Sequence, residues 1–258
     1  MNYLTKLKLL CVSVGVITLL GTSLGYSVNV DKIMESAVGI WLFDEGVGKK
    51  AEDISGKGND GELVKSPKWV QGKFGKALEF NGKDTCVQTE QKLLDNLEEF
   101  TILCWVKTGK ITANRVGLVG QNDSPEFGFI NPTSVNLWTP KSALTNTWKH
   151  GHPSKDWHHV GAVAAKKNLR VYIDGEAVEG GGPGPHGTSA FNVNIGGCGI
   201  WDAAGNWFTG AMDEVAIFHS ALEDDEVKAI MEDGFKVMLA VEARGKLAVR
   251  WGEVKHEN

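Results

Sequence analysis

Basic charge is in short supply along this chain. Its 258 residues carry 27 lysines and arginines against 32 aspartates and glutamates, a formal net charge of −5. Phosphate backbones demand a basic face, so nucleic acid is excluded as the expected partner. Cysteine is also scarce, with residues only at positions 11, 86, 104 and 198. No Gly-x-Ser-x-Gly elbow and no Cys–His signature occurs, which removes the local motifs of nucleophilic hydrolysis. Past the N-terminus no stretch is apolar enough to span a bilayer, so no stable membrane span is expected there.

The one long apolar run stands at the start. Lys6 and Lys8 precede an apolar stretch at 9–20, and small residues follow at 21–27. This pattern predicts a signal peptide over residues 1–25, cut after Gly25. The run is short for a full span, and Leu10 precedes Cys11 where a lipid-anchor signal needs a small residue. Removal of Lys6 and Lys8 lowers the 27 basic residues to 25 against 32 acidic ones, and the net charge from −5 to −7. The expected location is secreted or in the cell envelope, where disulfides form. Three cysteines then remain, which allows at most one internal bridge and leaves one thiol over. Cys104 lies in an apolar strand and is expected free and buried; the pairing of Cys86, Cys104 and Cys198 stays open.

What is present is a series of short strands between Gly, Asn and Asp. An apolar content of 42% supplies a large core, and the length suits one all-β domain. Residues 37–43 form a nearly continuous apolar run, fit for a strand buried on both faces. Phe100, Ile102, Cys104 and Val106 alternate with Thr101, Leu103, Trp105 and Lys107, a period of two. Leu169, Val171 and Ile173 alternate with polar or aromatic neighbours. Asp174-Gly175 then predicts a two-residue type I′ hairpin, because that pair tolerates positive φ. Strands are also expected at 157–164 and 211–218. Capping-box spacing at Ser220-Ala221-Leu222-Glu223 predicts one short helix with Leu222, Val227, Ile230 and Met231 on a face, ended by Gly234. Regularly spaced strands argue for a two-sheet antiparallel sandwich. Residues 179–189, rich in Gly and Pro, read as a mobile surface tip, and 141–156 as a second long loop. Residues 235–258 read as a hairpin around Arg244-Gly245 or a tail.

Seven segments, in order, resemble laminin-G-like jelly-roll domains of the concanavalin A-like lectin/glucanase superfamily. Gly39-Ile40-Trp41-Leu42-Phe43-Asp44-Glu45-Gly46 is similar to the opening strand, and Asp53-Ile54-Ser55-Gly56-Lys57-Gly58-Asn59-Asp60-Gly61 to the next loop. Gly75-Lys76-Ala77-Leu78-Glu79-Phe80-Asn81-Gly82 and Phe100-Thr101-Ile102-Leu103-Cys104-Trp105-Val106-Lys107 follow. Trp157-His158-His159-Val160 and the strand ending at Asp174-Gly175 resemble the central hairpin, and Gly210-Ala211-Met212-Asp213-Glu214-Val215-Ala216-Ile217-Phe218 the closing strand. The resemblance places a jelly-roll domain at 37–234. It is poor from 111 to 156.

The resemblance implies a structural calcium between an early loop and the late strand, with Asp53, Asp213 and the carbonyl of Gly58 as ligands. The competing reading is that these groups cap turns and pair with backbone amides. Sugars stack on aromatic rings beside acceptors, which singles out Trp201, Asp202, Asn206 and Trp207, with Trp138 and Trp148 in addition. Glycosidases of this architecture carry a Glu-x-Asp-x-Glu strand. None is present, and Asp213-Glu214 as neighbours should face opposite sides of a strand. His150, His152, His158 and His159 follow no zinc spacing. The expected role is therefore a non-catalytic exported module that recognises a glycan or a surface protein. A spacer domain without a small-molecule ligand is the alternative, and a divergent glycoside hydrolase a remoter one.

Overall fold

The computed structural model describes residues 28–149, 151, 153, 155–202 and 206–256. The expected signal segment lies outside them. In chain order the strands are β1 (Ala37–Trp41), β2 (Lys50–Ala51), β3 (Gly61–Val64), β4 (Lys68–Gln71), β5 (Lys76–Asn81), β6 (Cys86–Gln88), β7 (Phe100–Thr108) and β8 (Val116–Gly120). They continue with β9 (Glu126–Asn131), β10 (Ser134–Trp138), β11 (Ala143–Thr147), β12 (His158–Ala164), β13 (Leu169–Ile173), β14 (Glu176–Gly180), β15 (Asn194–Ile195) and β16 (Thr209–Phe218). Helix α1 (Val30–Ser36) precedes them and α2 (Asp224–His256) follows.

The strands form two antiparallel sheets. The first runs β14-β13-β12-β7-β16-β5-β4, with β1 also paired to β16; the second runs β11-β10-β9-β8-β15-β6-β3-β2. The period of two in β7 works as expected. Phe100, Ile102, Cys104 and Val106 enter the core between the sheets, and Leu103 turns outward to a second apolar cluster. There α1 and α2 cover the outer face of the first sheet through Ile33, Leu222, Val227, Ile230, Phe235 and Met238. Strand β1 is buried on both sides, Trp41 inward and Ile40 outward. The Asp174-Gly175 hairpin forms with φ of 49° and 78°, the positive values a type I′ turn needs.

Several expectations are corrected. Strand β16 carries a bulge between Asp213 and Ala216, with Glu214 at φ 50°. Met212 and Val215 both reach the inter-sheet core although three residues apart. The extra residue puts Asp213 and Glu214 on the same outer side, not on opposite faces. Helix α2 begins at Asp224, and its box is shifted: Glu226 Oε2 accepts the Glu223 N–H at 2.9 Å, whereas Ser220 Oγ donates to Ser36 Oγ at 2.8 Å. Gly234 ends the first helical segment as expected, at φ 68° and ψ 164°, and a second segment follows it within α2. Of the two expectations for 235–258, a hairpin or a tail, the hairpin does not form: the chain is helical to His256, with Phe235 and Met238, three apart, burying one face near its start. The Gly/Pro segment at 179–189 is anchored, not a free tip. His186 is fully buried there, edge-on to Phe100 at 5.5 Å, with its N–H donating to the Leu97 carbonyl. Within the expected loop at 141–156, residues Ala143–Thr147 form strand β11.

Candidate functional site

Alternation along β8, β9 and β10 sends Leu118, Phe127, Phe129, Val135 and Leu137 into the core. Glu126, Gly128, Asn136 and Trp138 are left on the outer face of the second sheet. The register aligns one row across that face: Glu62, Gln88, Asn194, Gly120, Glu126, Trp138 and Ala143 are successive cross-strand partners. Gly120 and Gly117 are bare because Ile200 lies on them. A Cβ on Gly117 would meet Ile200 at 2.7 Å, and one on Gly120 at 2.9 Å. The loop bearing Ile200 is tied down by a disulfide between Cys198 and Cys86 of β6, with Cα atoms 6.0 Å apart. Cys104 is the buried free thiol expected, and burial pushes it well above the usual thiol range.

Glu126 is the centre of this face. Only 4% of it is exposed, and Oε1 accepts the Asp123 N–H at 2.8 Å. Burial is the main cause that pushes its carboxyl up to about 7; the charges of Asp123 and Asp202 add to this, and the Asp123 amide and Arg115 oppose it. Trp138 stands beside it, half-buried. Asp202 is exposed, and its N–H donates to Asn206 Oδ1 at 3.0 Å. A flat indole, a carboxyl and an amide pair together offer stacking and hydrogen bonds to a polyhydroxylated molecule.

Of the expected ligand-binding residues, Trp138, Asp202 and Asn206 come to this face. Trp201 is in the same loop but 6% exposed, and Trp207 is half-buried where the loop returns to β16. Trp148 is structural: it stacks on Phe129 at 5.5 Å and 10° in the core between the sheets. Sequence reasoning missed Glu126. Its one signal was a carboxylate at the polar positions of the alternating Glu126-Phe127-Gly128-Phe129.

The expected calcium ligands are not brought together. Asp53 Oδ1 accepts from the Ile40 and Ser55 N–H groups, and Oδ2 from Ser55 Oγ and the Asn59 N–H. Both oxygens are thus turned toward donors, the arrangement of a turn cap. Asp53 bridges Trp41 on one edge of β1, while Trp41 pairs with Val215 on the other, so β1 stands between Asp53 and β16. Asp213 instead accepts the Phe74 N–H at 2.9 Å. Gly58 has φ 75° in the exposed loop. Among the described residues no group of three or more His, Cys, Asp or Glu is placed to hold a metal ion.

Comparison with known proteins places this architecture. No curated protein sequence matches. Among solved structures, domain 4 of the GH43 extracellular arabinanase AbnA from Geobacillus stearothermophilus, in complex with arabinotriose, aligns with TM-score 0.60 and 20% identity over 76% of this chain and 98% of that one. The binding domain of Paraclostridial Mosquitocidal Protein 1 aligns with TM-score 0.55 and 16% identity, over 77% of this chain and 52% of the other. The binding domain of Botulinum neurotoxin DC in complex with SialylT gives 0.55 and 14%, over 77% and 51%. The chain thus spans about half the length of these toxin domains. Such identities establish a shared fold. Residues 81–228, more than half of the chain, match the Laminin_G_3 family, and the protein accordingly belongs to the concanavalin A-like lectin/glucanases superfamily.

Proposed function

We propose that this protein is an exported, non-catalytic recognition module that binds carbohydrate on the outer face of its second sheet, around Glu126, Trp138, Asp202 and Asn206. The carrying observation is the register that sets half-buried Trp138 directly opposite buried Glu126 on neighbouring strands. Support for a saccharide comes from the arabinanase domain of the same fold, solved with arabinotriose. Export agrees with the Cys86–Cys198 bridge and with the signal pattern in the sequence. Among the described residues no helix is long and apolar enough to cross a membrane.

A surface protein is the second partner class, favoured by the toxin domain solved with rat synaptotagmin II. Calorimetric titration of the purified protein with arabinotriose and with other neutral oligosaccharides separates the two. Saturable binding lost in Trp138→Ala supports the saccharide reading. Absence of binding across a neutral glycan array overturns it and leaves a protein partner. Accumulation of new reducing ends during incubation would overturn the non-catalytic reading.

A further inference from the structure

A cavity of about 790 Å³ opens at the end of the sandwich, where β7 finishes and β16 begins. Its lining is charged against the trend of the chain. Lys107, Lys110 and Lys155 face it together with a single carboxylate, Glu79, in a protein of net charge −5. Among the described residues none of the three lysines is ion-paired. Lys107 and Glu79 flank Ala211 in the cross-strand row β7-β16-β5. They are two strand spacings apart, about 10 Å, with only a methyl group between them. No ion pair joins the two side chains, and the methyl floor between them leaves room above it for a bridging molecule. Ile111, Pro132 and Pro153 supply apolar walls, and Thr108 and Thr209 lie on the lining with their hydroxyls.

We propose that this cavity is a second binding site, for an acidic saccharide whose rings carry carboxylate or sulfate groups. Three ammonium groups from two chain segments meet the anionic substituents. The apolar walls meet the C–H faces of the rings, and Glu79 and the threonines take sugar hydroxyls. A bare inorganic anion would leave most of the volume unfilled, since cavities of a few hundred Å³ already hold molecules the size of small drugs. A long nucleic acid strand would meet the acidic remainder of the surface. The site is separate from the Trp138 face: Pro132 follows the end of β9, and Glu126 opens that strand about 17 Å away. Its existence therefore does not depend on the reading of that face.

The test titrates the purified protein calorimetrically with trigalacturonate, with a heparin-derived tetrasaccharide and with neutral galactotriose. The expected result is binding of at least one acidic probe, weakened by salt and not competed by galactotriose. In Lys107→Gln/Lys110→Gln it falls about tenfold or more. It is retained in Trp138→Ala and in the charge-matched Lys166→Gln/Lys167→Gln, whose exposed lysines sit at the other end of β7 beyond the Phe100–Ala164 pair. Which acidic probe binds distinguishes carboxylate from sulfate. Binding of neither, equal binding of galactotriose, or equal loss in both double variants overturns the proposal. All four lysines are exposed, so the variants should keep the wild-type melting temperature.

Discussion

Glu126 and Trp138 stand opposite each other on β9 and β10, the carboxyl buried and the indole half open. With the carboxyl held up at about 7, its charge changes within the neutral range. The ionised form accepts stronger hydrogen bonds from sugar hydroxyls, so affinity for a neutral oligosaccharide should rise between pH 6 and pH 8. Glu126→Gln should flatten this dependence and weaken binding by about tenfold at pH 8. Trp138→Ala should weaken it by a similar factor at both pH values. Isothermal titration at the two pH values reads both effects. A pH-independent affinity in wild type would remove Glu126 from the site.

The Cys86–Cys198 bridge closes a loop of 112 residues and pins the segment bearing Asp202 and Asn206 over Gly117 and Gly120. Chain-entropy reasoning assigns a closure of this length about 4–5 kcal/mol. Cys198→Ser should therefore lower the melting temperature markedly and also weaken saccharide binding, since the loop loses its tether. Reductant should mimic the variant in wild type and do nothing further to Cys198→Ser. Differential scanning calorimetry with and without reductant checks this. Equal melting temperatures would show that the loop is held by packing alone.

Much of the first sheet was legible in the sequence because β7 and β13 alternate with a period of two, β1 is a continuous apolar run and the hairpin uses Asp-Gly. Strands β8 to β11 were not, although they build the candidate site. The outer positions of β8 and β9 include Gly117, Gly120 and Gly128, which leave little polar beat against the apolar core residues. Nothing beside Glu126 in the sequence marks it as buried, since Asp202, which adds to its raised carboxyl, is 76 residues away along the chain. The bulge at Asp213 and Glu214 escaped for a related reason. A run of apolar residues follows on both faces of β16, so a skipped register leaves no mark in the pattern. At Gly234 the stop signal was real, with its left-handed φ, but the tertiary contacts of Phe235 and Met238 restart the helix.

Asp53 acts as a cap for the loop after β2, accepting four hydrogen bonds. Asp53→Ala should cost about 2–3 kcal/mol of stability, since buried donors lose a charged acceptor. Excess chelator should leave the melting temperature of wild type unchanged, because both Asp53 oxygens are turned to N–H and O–H donors; a bound metal would have raised that temperature, and its removal would lower it. Thermal unfolding in calcium and in chelator measures both. A drop on chelation that vanishes in Asp53→Ala would instead establish calcium at this loop.

Asp213 and Glu214 give the stability of the fold a pH dependence of definite sign. Burial raises Asp213 from 3.8 to about 8 and Glu214 from 4.5 to about 7. Opposing bonds come from the Phe74 and Phe235 amides, and Lys236 lies near both acids while pairing with Asp44 at 2.6 Å. A carboxyl raised in the folded state holds its proton more tightly there, so its stabilisation is full below the unfolded value. It is lost as pH rises through the folded one. His159 works in the other direction. Burial pushes it down to about 3, so it costs stability only as pH falls below about 6.5, where the unfolded chain takes up the proton. Between pH 6.5 and 8 the histidine is silent and the carboxyls dominate. The melting temperature should fall across that window by several degrees. Asp213→Asn keeps an acceptor for the Phe74 N–H and should flatten the slope. Calorimetry at half-unit steps of pH decides: a level wild-type profile, or an unchanged slope in Asp213→Asn, would show that these acids ionise freely despite their burial beside α2.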